Sequence, residues 1–153
     1  APRGYILKEA SHGHDATKLL LLTCCLCLSV VAPAAAFAQD QKEVYVAKVD
    51  PDGVQRVRLE GGGYFFKPGH IIVKVNVPVE LLASREAGIV PHNLVIKAPE
   101  AGIAVEEDLA TDIKKIAFTA TAVGKYPLYC GKKLLFFASH RERGMEGILE
   151  VVP

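Results

Sequence analysis

Apolar and polar positions along residues 43–152 read mostly as short strands. EVYVAKV (43–49) alternates, Pro51-Asp52-Gly53 follows as a turn, and VQRVRLE (54–60) reads as the returning strand of a hairpin. Gly61-Gly62-Gly63 breaks that strand and reads as a flexible turn, and YFF then runs into the second turn signal, Lys67-Pro68-Gly69. IIVKVNV (71–77) is rich in β-branched residues and ends at Pro78. NLVIKA (93–98) and KKIAFTA (114–120) are further strands. The acidic stretch between them, PEAGIAVEEDLATD, has room for one short helical turn. KYPLYC (125–130) carries Pro127, which predicts an edge or a bulge there, and EGILEVV (146–152) is the last strand. Seven or eight short strands with few helical stretches predict an all-β, antiparallel sandwich or barrel.

A different pattern precedes them. Residues 19–38, LLLLTCCLCLSVVAPAAAFA, follow Lys18 and end in Ala36-Phe37-Ala38 before polar Gln39-Asp40. A basic flank, an apolar core and an A-x-A end predict a signal peptide cleaved near Ala38. The division is therefore 1–38 leader and upstream segment, 39–153 domain, with the domain periplasmic or otherwise exported. An uncleaved anchor is the competing reading, and the only route to a membrane. Against it, the core from Leu19 to Ala32 falls short of the ~20 residues of a span, and Pro33 interrupts it. Cys24, Cys25 and Cys27 do not follow the Ala or Gly that precedes a lipid-acceptor cysteine, so they read as small apolar residues of the leader. His12 and His14 resemble a metal pair but leave with it.

Removing the leader changes the chemistry of what remains. Cys130 becomes the single cysteine of a domain in an oxidising compartment, with no disulfide partner. Loss of Arg3, Lys8, Lys18, Glu9 and Asp15 leaves 15 basic and 15 acidic residues. That balance argues against nucleic acid as a partner. Neither a glycine-rich phosphate loop nor a G-x-S-x-G motif occurs.

Three histidines remain: His70, His92 and His140. His70 follows a turn and reads as solvent-facing; His92, just before a strand, reads on its own equally well as a packed, hydrogen-bonded residue. Together with Cys130 and the chain's only methionine, Met145, two of these histidines make a mixed soft and borderline donor set. Two imidazoles, one thiolate and one weak thioether suit a copper centre cycling Cu(I)/Cu(II). Zinc prefers four strong ligands, so the methionine argues against a structural zinc site.

PHN and the apolar residues after it (91–96), G-x-Y-x-x-Y-C at 124–130 and H-x4-M-x-G at 140–147 resemble the ligand segments of plastocyanin-like cupredoxins. Lys67-Pro68-Gly69 before a strand resembles a turn of the same family. The resemblance spans residues 43–152 and implies a Greek-key β-sandwich with one type 1 copper near one end. It implies His92, Cys130, His140 and Met145 as metal ligands. Asn93 would tie the two ligand loops together, or else serve only the turn before its strand.

One departure stands out. The family places two residues between the cysteine and the second histidine, whereas nine, Gly131 to Ser139, lie here. The added closure entropy is only about 1 kcal/mol. A longer loop could nevertheless loosen the site or let His70, Glu142 or Glu146 displace His140. The apolar run Leu134, Leu135, Phe136, Phe137 reads either as a helical turn covering the end of the sandwich or as a docking patch for a redox partner protein. Lys132, Lys133, Arg141 and Arg143 would form its basic rim. The reading that follows is an exported mononuclear copper electron carrier rather than an enzyme. The alternatives are a periplasmic copper-binding or delivery protein and a cupredoxin-fold module without metal. One cysteine is too few for a binuclear copper centre, and the histidines are too few for a multicopper oxidase.

Overall fold

In strand after strand, every second side chain turns away from water. The computed structural model describes residues 42–153, and within them Val57 and Leu59, Val79, Leu81 and Ala83, and Leu149 and Val151 alternate with exposed or half-buried neighbours. Burying one such side chain is worth roughly 1.5–3 kcal/mol, so the alternation fixes which face of each strand meets the core. The signal-peptide reading of 1–38, with His12, His14, Cys24, Cys25 and Cys27, lies outside the described residues. Among the described residues, no helix is long and apolar enough to cross a membrane.

Ten strands form rather than seven or eight: β1 (Val44–Val46), β2 (Gln55–Gly62), β3 (Phe65–Lys67), β4 (His70–Lys74), β5 (Pro78–Arg85), β6 (Asn93–Ala98), β7 (Ile103–Asp108), β8 (Lys114–Thr119), β9 (Gly124–Tyr129) and β10 (Glu146–Val152). They make two mixed sheets, in the orders β1-β4-β10-β9-β6-β7 and β3-β2-β5-β8, packed as a Greek-key sandwich. β1 and β10 flank β4 in parallel, β2 and β5 run parallel, and the remaining pairs are antiparallel.

Several sequence expectations change. The hairpin of 43–49 with 54–60 does not form, because the chain crosses between sheets at Pro51–Gly53. β1 pairs with β4, β2 pairs with β5, and only the bridge Val49↔Gln55 is left of the hairpin. Gly61 and Gly62 do not break β2 but end it, both buried. The acidic stretch holds β7 after a single 3₁₀ turn at Pro99–Ala101. Pro127 sits in an inner strand. Cys130 sends its N–H to Met145 O on the β10 side, so an N–H at Pro127, an odd number of residues away, would face β6. β6 pairs with β9 only at Val95↔Tyr129, so no ladder bond is lost at Pro127.

The buried amide of Gln55 joins the sheets. Its Nε2 donates to Lys74 O (3.2 Å) and Val77 O (3.3 Å), and its Oε1 accepts the Lys74 N–H (2.7 Å).

Candidate metal centre

Strand register brings the ligand segments to one end of the larger sheet. Glu146 faces Tyr129 in the β9–β10 pair, so the next residues outward, Cys130 and Met145, lie opposite each other. The Cys130 N–H donates to Met145 O at 3.0 Å. Val95 faces Tyr129 across β6 and β9, which places His92 and Asn93 beside Cys130. His92, Cys130 and His140 form a buried cluster that could hold a metal ion. Nδ1 of His92 and Nδ1 of His140 are 3.2 Å apart, with the Cys130 Sγ 3.4 Å from the second and 4.0 Å from the first.

The donor set fits an ion. Three atoms with lone pairs face one another in a buried cluster. A cation satisfies all three. Both imidazoles sit below the ordinary histidine value of 6.5: burial disfavours the charged form of each, His140 and then Arg85 add to this for His92, and Arg143 does so for His140. Neutral imidazole is the form that binds metal.

Neighbouring backbone fixes the cluster. Asn93 Oδ1 accepts the Gly131 N–H at 2.7 Å, and the Asn93 N–H points at the Cys130 Sγ at 3.5 Å. The side chain of Asn93 thus links the segment at 92–93 to the one at 130–131. Met145 is fully buried, and its N–H donates to His140 O at 2.9 Å. Its methyl lies against Gly61, where an added Cβ would stand 3.1 Å from Met145 Cε. Gly61 was legible only as part of a glycine run; its use as space for Met145 needs the opposite sheet.

A backbone bond spans the long loop at His140. The His140 N–H donates to Lys132 O at 3.0 Å, closing residues 133–139 into an excursion beyond the site. Along the closed path only Gly131 and Lys132 separate the thiol from the imidazole. The other candidates for the His140 position are engaged elsewhere: His70 with Glu150 (2.7 Å), Glu142 with the Ser139 N–H (2.6 Å) and Glu146 with Arg141 (3.1 Å). Leu134 to Phe137 form one turn, closed by the Phe137 N–H on Leu134 O (3.0 Å), and their side chains face solvent rather than packing into the core. These four side chains are 61, 71, 91 and 54% exposed. Beside His140, Ile89, Val90, Pro91, Leu134 and Phe137 line a cleft of about 370 Å³, and its charged lining residues, Lys132, Lys133 and Arg143, are all cations.

A two-sheet sandwich with a buried two-histidine, one-cysteine cluster at one end is a cupredoxin-like architecture. No family model and no curated protein matches the sequence. Solved structures match by fold. The metal binding domain of the Cu(I) exporting P-type ATPase CopA of Streptococcus pneumoniae D39 is similar at a TM-score of 0.55 and 22% identity, over 73% of this chain and 98% of that one. A copper binding protein in its apo form is similar at 0.54 and 20%, over 72% and 99%. Auracyanin B follows at 0.50 and 17%, over 70% and 94%. The fold is that of the cupredoxins.

Proposed function

We propose that this chain binds one copper ion through His92, Cys130 and His140, with Met145 as a further, weak ligand, and carries single electrons. The observation that carries the reading is the convergence of His92 and Cys130, at strand ends, with His140, in the loop between β9 and β10. Copper supplies a one-electron Cu(I)/Cu(II) couple there. Cys130 offers the thiolate, His92 and His140 hold their Nδ1 atoms toward it, and Asn93 keeps the two segments in register. Burial excludes water from the donors. Backbone ties at Cys130, Gly131, His140 and Met145 would limit how far these residues move when a bound ion changes oxidation state. A site of this kind is built to hold an ion, so the proposed role is carrier rather than enzyme, exported through the leader at 1–38.

The exposed loop suits a redox partner protein with an apolar face and an acidic rim. Leu134 to Phe137 would supply the contact, and Lys132, Lys133, Arg141 and Arg143 the steering charge.

A second reading, copper binding and delivery, is favoured by the named copper proteins whose folds it shares. Voltammetry of the copper-loaded protein and competition with a Cu(I) chelator separate the two. A carrier gives a reversible one-electron wave and retains Cu(I). Ready release of Cu(I) without a reversible wave favours delivery.

A further inference from the structure

The turn between β2 and β3 contains a residue whose backbone is costly and whose side chain meets the proposed ligand His140. Gly62 pairs with Phe65, so Gly63 and Tyr64 are the two turn residues, with φ of +47° and +65°. Positive φ at both central positions is the type I′ turn, which is why Asn-Gly, Asp-Gly or Gly-Gly usually occupies them. Tyrosine in the second position is strained, and strain of this kind persists where the side chain serves a purpose. The ring of Tyr64 packs T-shaped against the imidazole of His140, with centroids 5.2 Å apart and planes at 81°. Arg143 holds that ring in turn. Its guanidinium lies over Tyr64, 5.0 Å from the centroid, and its Nη1 donates to the Tyr64 hydroxyl at 3.0 Å.

Arg143 and His140 share one turn of chain, where the Arg143 N–H reaches both Ser139 O and His140 O. Three positions apart, their side chains fall on the same side of that turn. Ligating histidines are commonly oriented by a hydrogen bond to the second ring nitrogen. Among the described residues, the hydrogen-bond contacts of the His140 ring run through Nδ1, to Cys130 and His92. The edge-to-face contact with Tyr64 adds a packing constraint on the plane of that ring.

We propose that Tyr64 is a positioning residue, held in a strained turn by Arg143, that fixes the imidazole plane of His140 for copper. The proposal rests on the copper reading of the site.

Three variants test it. Tyr64→Asn keeps a residue that tolerates positive φ but removes the ring, Tyr64→Phe keeps the ring, and Arg143→Gln removes the hold without touching the turn. The first measurement needs no metal: ring ¹H–¹⁵N spectra of His92 and His140 in the metal-free protein. Tyr64→Asn should broaden the His140 ring signals several-fold and leave those of His92 sharp. Arg143→Gln should broaden them less, and Tyr64→Phe, which keeps the ring under the guanidinium but loses the hydroxyl bond, no more than Arg143→Gln. In the Cu(II)-loaded protein, the thiolate-to-copper band should shift in the same order. Folded Tyr64→Asn protein with wild-type His140 signals overturns the proposal. Should Tyr64→Asn fail to fold, Arg143→Gln decides: broadened His140 signals support the proposal and unchanged signals overturn it. If wild type shows no copper band, the copper reading fails, and the metal-free spectra still decide whether Tyr64 fixes His140.

Discussion

Two Nδ1 atoms 3.2 Å apart in a buried site cannot both carry a proton. His92 and His140 are held below 6.5 in the fold, mainly by burial, while an unfolded chain protonates near that value. As pH falls through about 6.5, the unfolded state takes up protons that the folded state refuses. The contribution is fully present above that pH and is lost toward the depressed folded values. The melting temperature of the metal-free protein should therefore drop between about pH 7 and pH 5, and His92→Asn should flatten the drop. A profile equally flat in wild type contradicts this account of the pair. Gly61 offers a second test. A methyl there meets Met145 Cε and Leu109 Cδ1 at 3.1 Å and Phe66 Cε1 at 3.3 Å, so Gly61→Ala should cost about 1–3 kcal/mol in thermal or denaturant unfolding. It should also alter the copper spectrum, whereas the exposed neighbour change Glu60→Ala should alter neither. Lower stability with an unchanged spectrum would remove Met145 from the ligand set.

At the scale of elements, the ligand loop divides at the bond from the His140 N–H to Lys132 O. Deleting 133–139 and joining Lys132 to His140 should keep the copper band, because the ends already meet. The same deletion, or Phe137→Ser alone, should slow electron exchange with an acidic c-type cytochrome at low salt by about tenfold or more, read by stopped-flow. Loss of copper in the deletion variant would show instead that the excursion builds the site. Strand existence was readable wherever β-branched residues alternate, as in β4 and β6. β5 was hidden by its helix-like composition, since Glu80, Leu81, Leu82 and Ala83 favour helix and only pairing with β2 and β8 makes them a strand. β7 was hidden by its acids. Ile103 and Val105 face inward, while Glu106 pairs with Lys97 and Glu107 with Lys114, charges supplied by β6 and β8.

Across the whole molecule, the site depends on contacts between residues distant in sequence. His92, Cys130 and His140, which the fold brings together, could be picked out because their side-chain chemistry is unusual wherever it falls. Which glycine makes room for Met145, which tyrosine packs on His140 and how Gln55 joins the sheets are set by cross-sheet packing, which local pattern does not encode. The same packing holds three donor atoms together before any ion arrives. Adding one equivalent of Cu(II) to the protein, and recording visible and EPR spectra of wild type and Cys130→Ala, tests the central claim directly. The account predicts an intense thiolate-to-copper band, saturating at one copper per chain, in wild type and its complete loss in Cys130→Ala. A wild-type protein without that band, or a band that survives the loss of Cys130, would contradict it.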